Sequence, residues 1–164
     1  MNLRIEIRYA ALISIVTLLW LVVEYWVGLH DRYIRFHPYV TLLALAIPVV
    51  CTILAVKEKI NVADGELNFR QVFMTGFFIA LFSAVFSIPC QLIFQKLINP
   101  GFCQTMIRYS VQRAATLGID VIKAKSQAEM YFNLTSYLTQ CFFGTLFFGT
   151  IIALIIAWRM RTVK

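Results

Sequence analysis

The sequence predicts an all-α integral membrane protein, a four-helix bundle with an additional amphipathic interfacial helix between spans three and four. Three observations predict it. Residues 9–23, 39–56, 71–95 and 130–158 carry no formal charge, and each stretch reaches or approaches the roughly 20 residues an α-helix needs to cross about 30 Å of hydrocarbon. Apolar residues make up 60% of the chain and charged residues 14%, which would leave a soluble domain of 164 residues too little polar surface to cover itself. The Lys and Arg behind the net charge of +7 flank the apolar stretches and form no single stripe, so their expected partners are membrane-surface phosphates and not nucleic acid.

The chain reads as a single membrane domain, residues 1–164, with spans over about 8–28, 38–56, 71–97 and 131–158 and the amphipathic helix over about 100–117. Arg4 and Arg8 before Tyr9 to Val23 imitate a signal peptide, but Glu24, Tyr25, Trp26 and Val27 stand where small residues would mark cleavage. The stretch is therefore an uncleaved span. Glu24 falls about one turn before Gly28, near enough to the interface for hydration or a partner, with Tyr25 and Trp26 as interfacial anchors. Residues 28–37 form a polar connector, and Pro38 suits the first turn of the second span. Residues 57–70 hold three basic and three acidic side chains around an Asp64-Gly65 turn and read as a solvated link.

After the third span, Asn99 is expected to cap a helix whose first residue is Pro100, and Gly118 to end it. Cys103, Met106, Ile107, Val111, Ala114 and Leu117 share one side of that helix; Gln104, Thr105, Arg108, Gln112 and Thr116 share the other. Such a helix lies in the interface plane or covers the bundle end. Ser126 with Glu129 three residues later fits a capping box, from which one unbroken helix is expected to pass through Tyr131, Phe132 and Asn133 into the fourth span. It should end near Arg159, leaving a basic tail of Arg159, Arg161 and Lys164.

Two stripes recur at helical spacing inside the spans. Ser83, Ser87, Gln91 and Gln95 lie along one face of the third span and should look inward, as a polar path or as hydrogen-bonded glue between helices. Cys141, Thr145, Gly149, Ala153 and Ala157 form a small-residue stripe in the fourth, a packing seam whose partner is either within the chain or a second copy. Pro48 and Pro89 bend their spans locally. Cys51, Cys90 and Cys141 read as packing residues, and Cys103, outside the spans, is the thiol to test for reactivity.

Four spans put both termini on one side of the membrane. Lys and Arg divide almost evenly between the two sides, and the acid-free tail lying directly against the fourth span favours cytoplasmic termini. The first and third connectors then share the opposite face. That face collects a candidate functional polar cluster of Glu24, His30, Asp31, His37, Gln91, Gln95, Arg108, Glu129 and Asn133. Two His among carboxylates could hold a metal, yet the seven-residue separation of His30 and His37 matches no specific ligand pattern. Ion pairs and helix caps are the simpler assignment, with Asp31 and Arg35 spaced for an i,i+4 pair. No catalytic residue, metal or cofactor is assigned.

The order of several short motifs resembles a family. Leu19-Trp20, Glu24, and Gly28-Leu29-His30-Asp31 before His37 are similar to the small four-span bacterial membrane proteins grouped as domain of unknown function 4199. So are Gly65 before Phe73 and Gly76, Pro89 with Gln91, Asn99-Pro100-Gly101-Phe102 before Tyr109, and Ala128-Glu129 leading into Tyr131-Phe132-Asn133-Leu134. The acidic pair that often precedes the Tyr-Phe-Asn signature is here Gln127-Ala128-Glu129, which leaves one carboxylate. The resemblance implies a multi-pass protein of the bacterial cytoplasmic membrane and carries no activity with it. The leading expectation is a non-enzymatic structural or accessory component, its partners the lipid bilayer and a second copy or another membrane protein. The alternatives are a small transporter or channel subunit with a polar path along the third span, and a membrane-embedded enzyme around Glu24, His30 and His37. No nucleophile elbow, metal motif or nucleotide loop supports the enzyme.

Overall fold

Apolar runs with few helix breakers become long helices, and the polar residues at their ends decide where each one starts. The computed structural model describes residues 3–63 and 65–162; among these every element is helical and no strand occurs. Four helices are long and apolar enough to cross a membrane: Arg4–Trp26 (α1), Ile34–Val62, Phe69–Ile98 and Leu134–Met160. The second opens with a 3-10 turn, the short helix His37–Val40 (α2) carrying Pro38 in its first turn, and a further 3-10 stretch before Ala46–Val62 (α3). The third consists of Phe69–Ile93 (α4) and one π-helical turn, Phe94–Ile98. Phe102–Thr116 (α5) and Val121–Tyr131 (α6) precede the fourth, Leu134–Met160 (α7).

Several helix ends differ from the sequence expectation, each for a local reason. α1 and α3 extend into charged residues because those charges pair: Lys59 binds Glu6, Arg8 binds Glu58, and the Tyr9 hydroxyl donates to Glu58 at 3.1 Å. Asp64 of the expected Asp64-Gly65 turn lies outside the described residues, as does Lys164 of the basic tail. α4 starts at a capping box in which the Asn68 side chain accepts from the Gln71 amide and Gln71 returns the bond. Gly101, not Asn99, precedes α5, since the Asn99 side chain is turned toward His30.

The unbroken helix expected from Ser126 is replaced by two. Asp120 accepts from the amides of Ile122 and Lys123 and so starts α6 upstream, leaving Ser126 in mid-helix. Asn133 then accepts from the Ser136 amide and starts α7 afresh, with the chain breaking at Phe132. The spacing of Asp31 and Arg35 yields no ion pair among the described residues, because α1 ends at Trp26 and Gly28 turns the chain at φ +83°.

α4 packs most extensively on α7 and next on α1, and α1 on α3. At the closest approach of α4 and α7 the small residues interlock in antiparallel order. A Cβ built on Gly76 would lie 2.6 Å from the Ala153 Cβ, and one on Gly149 would lie 2.5 Å from the Ala80 Cβ. Each glycine makes the room its partner alanine fills. Val56, Leu67, Val72, Ile156 and Ala157 close the end near the chain termini, where the Thr162 hydroxyl accepts from the Leu67 amide at 2.7 Å. The other end holds Leu21, Phe94 and Phe102 in one apolar cluster.

Candidate functional site

The end of the molecule closed by Leu21, Phe94 and Phe102 is also where the buried polar side chains concentrate. α1 delivers Glu24 in its last turn, the connector delivers His30, and α2 delivers His37 at its first position. They are 1%, 2% and 7% exposed, so three ionisable groups share a space that water scarcely reaches. One donor atom from each lies within 4.8 Å of the others.

Both oxygens of the Glu24 carboxylate have partners. Oε1 accepts from Trp20 Nε1 at 2.6 Å and from Thr41 Oγ1 at 2.9 Å. Oε2 faces His30 Nε2 at 3.4 Å and His37 Nε2 at 3.7 Å. The far ring nitrogen of His30, Nδ1, lies 3.5 Å from the Asn99 amide. Phe94 and Phe102 stand edge-on to the His30 ring, at centroid distances of 5.4 and 5.1 Å, and His37 at 4.9 Å completes the wall. These three donors are the residues of the described chain that could hold a metal ion.

The π turn explains how the third candidate span serves this pocket twice. The Asn99 amide N–H bonds to the Phe94 carbonyl at 2.7 Å, a five-residue step. Residues five apart then fall on one face, so Phe94 and Asn99 both meet His30.

A cavity of about 290 Å³ adjoins the cluster, lined by all four long helices, and Trp20 and Thr41 belong to its wall as well as contacting Glu24. Ser83, Ser87 and Gln91 line it from α4. Ser83 Oγ and Gln91 Oε1 are buried without a hydrogen-bond partner. Gln95 lies beyond, its Oε1 accepting from the Cys103 thiol at 3.2 Å while its Nε2 is also unpartnered. Burial pushes the Cys103 thiol above its ordinary value, so little of it is thiolate near neutral pH.

Of the residues the sequence grouped as one polar face, the structure gathers Glu24, His30 and His37 into contact and sets Gln91 and Gln95 beside them. The others stand apart. Asp31 and Arg108 are exposed, Glu129 is exposed and pairs with Lys125 at 3.8 Å, and Asn133 is occupied as the cap of α7. Trp20, Thr41, Asn99 and Phe102 were missed as site residues. Trp20 had a readable signal, since four residues before Glu24 is the same helix face; the rest depend on tertiary placement. The seam meets α4 within the chain, through Gly149 on Ala80 and Ala153 on Gly76.

The family model described as Protein of unknown function (DUF4199) matches residues 8–162, nearly the whole chain and every residue of the buried cluster. The chain belongs to this family. No curated protein and no solved structure matches it. In this DUF4199 member, then, the chemistry of the pocket has to be read from its own side chains.

Proposed function

We propose that this chain is a non-enzymatic accessory component of the bacterial cytoplasmic membrane that holds a small ligand, mainly apolar with one hydrogen-bonding end, in the cavity lined by the four long helices. The observation that carries the reading is the pair of buried, unpartnered atoms, Ser83 Oγ and Gln91 Oε1, on the wall of that cavity. An orphaned buried polar atom costs about 1–3 kcal/mol, and an occupant recovers that cost once the two side chains rotate their buried oxygens into the cavity. Apolar walls with a few convergent polar groups are the usual composition of a small-molecule pocket.

Membrane residence is supported by what the helices leave uncovered. Only 17% to 33% of the most apolar window of each candidate span is buried within the protein, a surface suited to hydrocarbon. On this reading the four spans form a bundle, with lipid as principal partner and a second copy or another membrane protein on its outer faces. The turn between α5 and α6 exposes Leu117, Ile119 and Ile122 beside Arg113 and Lys123, which suits α5 to the headgroup interface. Termini on the cytoplasmic side are supported by Arg159 in the last turn of the fourth span and Arg161 directly after it. In a Cys103→Ser background, a cysteine added after Lys164 should resist a membrane-impermeant maleimide in intact cells and react once they are opened; labelling of intact cells above that of the same background without the added cysteine would reverse the orientation.

Gly144 provides the test of the cavity. A Cβ built there meets nothing within 4 Å, and the residue lines the cavity, so Gly144→Phe can place a ring inside without displacing a helix. Wild-type protein extracted from its own membrane should carry a small-molecule adduct in native mass spectrometry, and the variant should lack it and melt at a higher temperature. A wild type free of adduct, with the variant no more stable, would remove the reading.

A further inference from the structure

We propose that Glu24, His30 and His37 form a binding site for one divalent first-row transition ion, the Glu24 Oε2 and the two imidazole nitrogens serving as ligands. The inference stands independently of what the neighbouring cavity holds.

The distances separate this from the simpler explanation, a carboxylate hydrogen-bonded to one or two imidazoles. A charge-assisted N–H···O bond runs about 2.7–2.9 Å. In this pocket Trp20 makes a short contact of 2.6 Å to the same carboxylate, so close approach is sterically possible. Both imidazoles nevertheless face Oε2 at 3.4 and 3.7 Å, and one carboxylate oxygen is shared between them. Such distances are long for hydrogen bonds and right for two ligands of one ion. Ligands held about 2.0–2.1 Å from a tetrahedral zinc lie about 3.3–3.4 Å from each other; the two carboxylate–imidazole distances meet this within a few tenths of an ångström, and the two imidazole donors, which lie within 4.8 Å of each other, close the third edge by moving together.

The chemistry of the donors selects the ion class. Two imidazoles with one carboxylate suit zinc or ferrous iron with open positions, whereas calcium and magnesium prefer all-oxygen surroundings. One carboxylate and two neutral imidazoles also leave a divalent charge only partly neutralised, which favours an anion or water at the remaining positions.

The surrounding layer is built as metal sites need it. Trp20 and Thr41 occupy Oε1 and so hold the carboxylate with Oε2 turned to the imidazoles. Asn99 sits at His30 Nδ1, where its amide oxygen, brought round by a flip of the amide, accepts the Nδ1 proton and leaves the Nε2 lone pair for the ion. Phe94 and Phe102 supply the apolar shell.

The test uses the full chain purified in nanodiscs, stripped with a chelator, and titrated separately with Zn²⁺ and Co²⁺. Because nitrogen and oxygen sites bind zinc more tightly than ferrous iron, Zn²⁺ is a fair probe for either resident ion. We expect one ion per chain, a Co²⁺ visible spectrum of nitrogen and oxygen ligation, and a rise in melting temperature on loading. His30→Ala and His37→Ala should each weaken binding by at least about 100-fold, and Asn99→Ala by about 10-fold. Glu24→Gln, which keeps an acceptor for Trp20 and Thr41, covers the case in which the alanine variants fail to fold; it should retain the fold and lose the ion. A wild type that takes up neither ion stoichiometrically, or binding unchanged in Glu24→Gln and His37→Ala, would overturn the site.

Discussion

Gly149→Leu is expected to abolish the monodisperse folded protein, and even Gly149→Ala should lower its melting temperature. The reason lies in how α4 and α7 associate. Lipid tails are as apolar as leucine, so helices in a bilayer gain little from hiding apolar surface and depend on close packing. The closest packing in this chain is the interlock of Gly76 with Ala153 and Gly149 with Ala80, and a single methyl added at residue 149 would reach 2.5 Å from the Ala80 Cβ and 3.3 Å from its Cα. Overpacking of that order costs about 1–3 kcal/mol for one methyl, and leucine has no flexible neighbour to push aside. The decisive control is an exchange of sizes. Ala80→Gly introduced into Gly149→Ala moves the methyl from one helix to the other and should recover most of the lost stability in a detergent melting series. If Gly149→Ala melts with the wild type, the interlock contributes nothing. Because the seam is spent within the chain, crosslinks from Gly149 to a second copy are not expected.

Glu24→Ala should cost about 3–5 kcal/mol of stability, the range found when one partner of a buried charged network is removed. The loss has two parts: Trp20 Nε1 and Thr41 Oγ1 are left without their acceptor, and the two imidazole nitrogens that face Oε2 lose the group they face. Glu24→Gln keeps the acceptor and should lose only a fraction of that. Both variants should be melted against wild type after chelator treatment, so that loss of a bound ion does not enter the comparison. Equal melting temperatures for all three proteins would mean the carboxylate carries no structural role.

The four long helices were legible because their requirement is length without charge, a property of contiguous sequence. Their ends were less so. Residues 57–70 read as a solvated link, and it is the pairing of Lys59 with Glu6 across α1 and α3 that carries α3 on into that segment. The two caps proposed after the third span show the limit of local rules. Asn99 before Pro100 is a sound cap signal, yet its amide is used on His30, 69 residues away in the chain. Ser126 with Glu129 also satisfies a local rule, but Asp120 does so earlier and takes the helix start. At the site, chain position named Glu24, His30 and His37, and Trp20 was legible as a neighbour of Glu24 on the same face of α1, whereas Thr41 and Asn99 act through contacts that appear only when separate elements meet. The exposed Asp31, Arg108 and Glu129 were grouped with them because a shared membrane face is a coarser criterion than a shared pocket.

The π turn at Phe94–Ile98 makes part of this pocket a matter of counting. An α-helix advances about 100° per residue, so residues five apart diverge by about 140° around its axis. With one residue fewer between Phe94 and Asn99, the amide would still reach His30; with the same residues in regular α-helical winding it would point elsewhere. The wide turn is equivalent to a single inserted residue, held in the chain's length and absent from any side chain. Two relatives could therefore keep the same contacts to His30 with third spans that differ in length by one, provided the longer one carries the wide turn.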